Sequence, residues 1–293
     1  MKNFRIGSWN NTHKKSVSGK IKFAVIIPSY NNKRWFKRNL ISVFRQNYKN
    51  WRIIYIDDCS TDNTYDLVKN FIIQQNMEKK VTLIKNKTRN YQAFSRHEGY
   101  MKCDDEEICV LLDGDDWLAN EHVFNILEKE YTKHKLVLTY GAHIYFHKGR
   151  TKLNKKYGTD EYPDEIIRNN SYRSYGPFVA QHLRTVKAEI LKKIPIEQLK
   201  DVQGNWLKKC TDVAEMYWAL ENSNGKFKNI KKVLLIYNID NSIQSAHSYI
   251  NDTKSLEGSR NRDEIYRHIV KKACPQRDHF YENRFLQITS SKF

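Results

Sequence analysis

Apolar residues follow two rhythms over the first 120 positions, short unbroken runs and helical repeats, and the two alternate. KFAVIIP (Lys22 to Pro28) is a nearly continuous β-branched run closed by the turn residues SYNN, the pattern of a strand buried on both faces. From Lys33 to Gln46, Phe36, Leu40, Ile41, Val43 and Phe44 return at helical spacing. WRIIYID (Trp51 to Asp57) predicts a second strand. After DCSTDN, Thr64, Leu67, Val68, Phe71 and Ile72 share one helical face, with Ser60 or Asp62 as the expected N-cap. VTLIKN (Val81 to Asn86) predicts a third strand, Tyr91 to Met101 a helix, and EICVLLD a fourth strand.

Fully buried strands alternating with helices imply an α/β fold with a mostly parallel sheet covered on both faces. Ligands of such sheets sit beyond the carboxyl ends of the strands. PSYNN, DDCSTDN and DGDD each follow a predicted strand. They are therefore expected to meet at one sheet edge, although about 30 and 55 residues separate them. Beyond DGDD the rhythm loosens. Glu121 to Lys133 reads as a helix, LVLTYG (Leu136 to Gly141) as a strand, and residues 148–177 as a long polar loop. Thr185 to Ile194 and Asp212 to Glu221 read as helices, KKVLLIYN as the last strand, and Arg262 to Lys272 as a helix in a charged tail.

Length and composition narrow the class. A chain of 293 residues, 40% hydrophobic and 13% aromatic, is long and apolar enough for a real core and is not a disordered polymer. No apolar run approaches the roughly 18 residues of a membrane span. The polar, basic first twenty residues lack the apolar core of a signal peptide. Five scattered cysteines form no CxxC pair and read as reduced thiols, so a cytoplasmic location is expected. A net charge of +18 attracts nucleic acid, anionic membrane or phosphorylated small molecules, or simply reflects an AT-rich coding sequence. The charges are spread rather than blocked, and RNP, zinc-finger and basic-zipper patterns are absent, so nucleic acid is the disfavoured partner. No GxGxxG follows the first strand, which leaves a dinucleotide site unsupported.

The acidic knot in ICVLLDGDDWL carries the candidate chemistry. One Asp-x-Asp triplet, Asp113-Gly114-Asp115, is about what chance supplies in a chain of this composition, so its value lies in its neighbours. Those neighbours are AVIIPSYNN, IIYIDDCSTDNT and VLLDGDDWL, followed by Thr211-Asp212 before a helix. Together they resemble the family 2 glycosyltransferases of GT-A fold, over roughly Lys22 to Asn241. The resemblance implies transfer of a sugar from a nucleoside diphosphate to an acceptor hydroxyl, with inversion, aided by Mn²⁺ or Mg²⁺ held by carboxylate oxygens. It implies that Asp113 and Asp115 hold the metal, with Gly114 letting the backbone approach, and that Asp58 accepts the uracil N3–H while Pro28 and Tyr30 line the base. Asp57 is expected to serve structure, and Arg89 or Arg96 to pair with the diphosphate.

The base implied by the resemblance is Asp212. The alternative is an ordinary N-cap in which Glu215 completes a capping box. His247 is a candidate third metal ligand and His182 a candidate contact to sugar. Tyr172, Tyr175 and Phe178 stack on an acceptor sugar or pack in the core, and Trp117 is placed near the sugar pocket. The expected organisation is a flexible basic extension (1–20), a GT-A domain (21–247) and a basic helix with a tail (248–293). Within the domain, about 21–117 is the nucleotide-sugar half and about 118–247 the acceptor half. The QxxRW pattern of processive members is absent. The reading is a UDP-sugar-dependent transferase acting on a glycan, glycoprotein or glycolipid, with peripheral contact to an anionic membrane compatible. A GDP- or dTDP-sugar donor, or a non-catalytic basic binding protein, are the alternatives.

Overall fold

The computed structural model describes residues 19–153, 156–240 and 256–271. Four parallel strands begin the chain: β1 (Phe23–Ser29), β2 (Trp51–Asp57), β3 (Val81–Lys85) and β4 (Ile108–Leu111), in spatial order β3-β2-β1-β4. Three helices connect them: α1 (Phe36–Phe44), α2 (Thr64–Gln74) and α3 (Tyr91–Met101). Every residue of β1 is buried, as its unbroken apolar run predicts. Alternate side chains enter different cores: Ala24 and Ile26 pack on the α3 side, Phe23, Val25 and Ile27 on the side of α1 and α2.

The second half extends the same sheet with mixed polarity. Its strands are β5 (Trp117–Leu118), β6 (Leu138–His147), β7 (Arg150–Thr151), β8 (Arg184–Lys187) and β9 (Phe227–Asn238). The sheet continues from β4 as β8-β6-β9-β5, with β7 added to β6. The helices are α4 (Val123–His134), the short α5 (Asp164–Arg168) and α6 (Ala188–Leu191), α7 (Thr211–Glu221) and α8 (Leu256–Lys271). No helix among the described residues is long and apolar enough to cross a membrane.

One element differs in kind from the expectation. The Thr185 to Ile194 stretch is not one helix: Arg184–Lys187 is β8, antiparallel to both β4 and β6, and only Ala188–Leu191 is helical. Thr185 and Val186 are β-branched, and pairing with two neighbours outweighs a weak helical period. The start of α2 also differs. Its N-cap is Asn63, in the left-handed region, and Asp62 instead accepts the Thr64 N–H at 3.1 Å. The predicted C-terminal helix forms as α8 and docks on the domain. Ile269 and Val270 are buried, and the Tyr266 hydroxyl meets that of Tyr217 at 3.0 Å. Most of the 1–20 extension and the tail after Lys271 lie outside the described residues.

Candidate active site

The carboxyl ends of β1, β2 and β4 meet at one edge, and their loops are bonded to one another. The Asp58 N–H reaches Ser29 O at 2.8 Å, Thr61 N–H reaches Asn31 Oδ1 at 2.9 Å, and Gly114 N–H reaches Pro28 O at 3.1 Å. Gly114 has no room for a side chain. A Cβ there would stand 2.7 Å from Asn32 Nδ2 and 3.0 Å from Pro28 O. Asp57 is structural: it is fully buried and accepts the Ser60 N–H at 2.9 Å. These loops open on a cleft of about 410 Å³. It is lined on the β1–β2 side by Pro28, Tyr30, Asp58, Arg89 and Tyr91, and on the β4 side by Asp113, Gly114 and Asp115. Arg96, His182, Arg184, Lys208, Asp212 and Tyr237 complete the wall.

Asp58 is held by neutral donors. Its Oδ1 accepts Asn86 Nδ2 at 2.7 Å and Asn90 N–H at 2.9 Å, and its Oδ2 accepts Tyr91 N–H at 2.7 Å. A carboxylate offers about four acceptor positions, so one is left toward the cleft. Tyr91 makes its bond from a φ of 68°, a conformation unfavourable for a side chain with a Cβ. Arg89 is exposed, and its guanidinium carbon sits over the Tyr30 ring, 3.8 Å from its centre.

The DGDD loop is anchored from both halves of the chain. Asn39 of α1 donates its side-chain amide to the carbonyls of Asp113 (2.9 Å) and Asp116 (2.8 Å). Asn238, ending β9, gives its backbone N–H to Asp116 Oδ1 at 2.8 Å and its side-chain amide to Asp115 O at 3.1 Å. Arg96 lines the cleft, but its guanidinium is committed elsewhere than the expected diphosphate. It donates to Asp113 Oδ1 at 2.7 Å and to Glu215 Oε2 at 2.8 Å. Burial opposes the Arg96 charge, yet Asp113 and Glu215 outweigh it and hold the guanidinium protonated.

Donor atoms of Asp113, Asp116 and His182 lie within 4.8 Å of one another. Two carboxylates and an imidazole form a donor set that fits a divalent cation. Asp116 Oδ2 is buried without a hydrogen-bond partner, an oxygen that such an ion satisfies. Burial, then the charges of Asp115 and Asp113, push the Asp116 carboxyl well above its usual range. Asp115 lines the cleft beside this cluster but is not one of its three converging groups. His247 lies outside the described residues.

Asp212, in the first turn of α7, also lines the cleft. The N-cap is Cys210, with φ 58° and no side-chain capping bond, so the capping-box alternative does not form. Instead Asp212 Oδ2 accepts Arg184 NH2 at 2.7 Å, and Glu215 turns to Arg96. Burial works against the Asp212 charge, but Arg184, Arg96 and His182 outweigh it and lower its pKa. Burial pushes Glu215 the other way, up to about 7 against the pull of Arg96. Arg184 is 1% exposed and also reaches Ala180 O and His182 Nε2, each at 3.0 Å. Burial, then the Arg184 charge, keep the His182 imidazole neutral.

Sequence reasoning missed Arg184, Glu215, Asp116 and Tyr237. Arg184 stands just before the Thr185 to Ile194 stretch that reads as a helix, where nothing local marks it. Glu215 was visible only as a capping partner. Of the two readings of the aromatics, core packing holds. Tyr172 is 1% exposed in the core, and Tyr175 and Phe178 pack against that core. Trp117 stacks with Trp35 and Phe146 in a separate cluster and does not line the cleft.

Acids and arginines gathered at the carboxyl edge of a mostly parallel sheet, extended by antiparallel strands, define a transferase of GT-A fold. The chain belongs to glycosyl transferase family 2, whose model matches residues 24–195. Among solved structures, residues 1–349 of TarS from Staphylococcus aureus, in complex with UDP-GlcNAc, share the fold. The TM-score is 0.54 and identity 17%, over 74% of this chain and 58% of that one. An uncharacterized glycosyltransferase of Haemophilus influenzae is 31% identical over 122 residues, 42% of this chain and 47% of its own. WfgD of Escherichia coli, a UDP-Glc:α-D-GlcNAc-diphosphoundecaprenol β-1,3-glucosyltransferase, is 30% identical over 33% of this chain and 37% of its own. The chain thus spans less than half the length of these curated relatives.

Proposed function

We propose that the protein is a metal-dependent, inverting glycosyltransferase that moves a hexose or N-acetylhexosamine from a UDP-sugar to an acceptor hydroxyl on a glycan, protein or lipid. The observation that carries this reading is one cleft lined by Asp58, by the DGD loop and by an Asp212 whose pKa is lowered. In this reading residues 21–117 bind the nucleotide sugar and residues 118–247 the acceptor. The open acceptor position of Asp58 takes the uracil imide N–H, Pro28 and Tyr30 face the base, and Arg89 swings from its stack toward the phosphates. UDP is the favoured nucleotide because WfgD is named for UDP-Glc and TarS was solved with UDP-GlcNAc.

A cation at Asp113 and Asp115, Mn²⁺ or Mg²⁺, supplies Lewis-acid neutralisation of the leaving diphosphate when bound. Asp212 takes the proton of the acceptor hydroxyl as that oxygen attacks the anomeric carbon. Arg184 fixes the carboxylate's direction and keeps it ionised at neutral pH. Contact of the C-terminal segment with anionic lipid is compatible, and it rests on charge, because α8 turns Ile269 and Val270 into the domain.

Calorimetric titration of UDP with and without Mn²⁺, repeated on Asp115→Ala, tests the donor site. Metal-dependent binding that Asp115→Ala weakens at least tenfold supports it. No UDP binding under any metal sinks the UDP assignment and brings GDP and dTDP forward. If those fail while nucleic acid binds with steep salt dependence, the enzyme reading itself falls.

A further inference from the structure

We infer that Lys208 is a catalytic residue of the transfer: its ammonium leaves the Tyr91 ring for the β-phosphate as the sugar departs, so that the leaving group is neutralised from the acceptor half of the chain. The inference rests on the glycosyltransferase reading above and adds a cation that the reading does not use.

Four arginines and lysines line the cleft: Arg89, Arg96, Arg184 and Lys208. Two are already committed. Arg96 and Arg184 are each 1% exposed, Arg96 donating to Asp113 at 2.7 Å and to Glu215 at 2.8 Å, Arg184 to Asp212 at 2.7 Å. Turning either to a phosphate would leave a carboxylate of this network unpaired. Arg89 and Lys208 are exposed and, among the described residues, have no carboxylate partner. Both rest against the Tyr91 ring, the Arg89 guanidinium carbon 4.8 Å and the Lys208 ammonium 4.7 Å from its centre. An exposed ring holds a cation weakly, and a phosphate oxygen draws it away.

Position separates the two. Arg89 stands beside Asn90 and Tyr91, whose N–H groups hold Asp58, so it suits the bound nucleotide. Lys208 lies on the segment between the 3-10 turn Ile196–Leu199 and α7, and that segment is pinned on both sides of it. Trp206 packs on Phe94 and His97 of α3, with ring centres 5.3 and 5.4 Å apart. Leu207 is fully buried and its N–H reaches Leu199 O at 2.9 Å. After Lys208, Cys210 with φ 58° turns the chain into α7, and Asp212 follows Lys208 by four residues. A fixed root with a flexible four-carbon stem lets the ammonium sweep the cleft while the backbone stays in place. The base and the leaving-group cation thus share one short segment.

The chemistry uses a charge that is absent at the start. As the acceptor oxygen bonds to the anomeric carbon, the bond from that carbon to the β-phosphate oxygen breaks. Its electron pair stays on the phosphate oxygen, and the acceptor proton goes to Asp212. The diphosphate gains one negative charge in this step. A cation that meets this charge as it develops stabilises the transition state more than the bound donor. An ammonium suits a moving oxygen, because it acts as a point charge and needs no bidentate geometry.

The test is calorimetric titration of uridine, UDP, UDP-Glc and UDP-GlcNAc into the full chain at fixed Mn²⁺, for wild type, Lys208→Met and Lys208→Arg. Steady-state release of UDP from the two UDP-sugars is followed alongside. Lys208→Met is expected to weaken UDP at least tenfold, the UDP-sugars less than threefold and uridine not at all. It lowers kcat about 30- to 100-fold with KM changed less than threefold, and Lys208→Arg recovers most of both losses. Lys208→Met that binds UDP like wild type overturns the inference. Equal losses for UDP and the UDP-sugars also overturn it, because Lys208 then serves the ground state, as does a loss shared by uridine, which marks a structural role. Where neither UDP-sugar turns over, the ratio of UDP to UDP-sugar affinity decides, with an unchanged melting temperature as the folding control. Each of these failures leaves the proposed function standing, whereas a wild type that binds none of UDP, GDP and dTDP takes both down.

Discussion

Asp58 and Asp212 line the same cleft and are held in opposite ways. Asp58 is cradled by three neutral N–H donors, two from backbone, contributed by residues 28 to 33 positions later. Asp212 is held by a buried guanidinium, and behind it Glu215 and Arg96 form a second ion pair over a separation of 119 residues. Dipoles hold an acid without committing a full opposite charge to it. Ion pairs hold it hard, and leave uncompensated charge when one member is removed. The nucleotide side is therefore expected to tolerate change, and the acceptor side to fail as a unit.

The sharpest way to break that contrast is Arg96→Met, which leaves Asp113 and the buried Glu215 without their common partner. Stability falls by about 3–5 kcal/mol, read by urea denaturation. A loss below about 1 kcal/mol would place this pair among ordinary surface contacts.

Glu215→Gln separates charge from shape. A carboxyl raised from 4.5 to about 7 in the fold binds its proton more tightly there than in the unfolded chain. Its favourable contribution is complete below about pH 4.5 and is lost as pH rises through 7. Wild type should lose stability relative to Glu215→Gln across that window, by roughly 3 kcal/mol at most. Paired denaturation curves at pH 5 and 8 measure it, and a pH-independent difference would contradict it.

The smallest effect is expected at Asp58→Asn. The amide oxygen still accepts, and the cost is a misplaced NH₂ among donors, about 1–2 kcal/mol of stability. UDP affinity should fall about tenfold, measured by calorimetry. A collapse as large as that of Arg96→Met would erase the distinction between the two sides.

What was legible in the sequence follows a different line, between local and tertiary signals. The boundaries of β2 and α3 are read to the residue, because a continuous apolar run and a helical period are local signals. The meeting of PSYNN, DDCSTDN and DGDD follows from parallel topology alone. Glu215 escaped because its partner is in another element, and sequence proximity made it look like a cap for its own helix. Arg184 escaped because its strand is pinned between β4 and β6, a tertiary fact. Asp116 escaped because a third aspartate within four positions looks like more surface charge, while Asn39 and Asn238 hold it inward.

The Arg96 bridge also bears on how the chain is made. A ribosome releases Arg96 119 residues before Glu215. Until α7 has cleared the exit tunnel, the guanidinium has Asp113 alone for company, in a layer where hydrocarbon is already assembling around it. The first half of the sheet therefore emerges with an unfinished seam on its α3 side. The nascent domain stays wet along that face until the last third of the chain arrives to seal it.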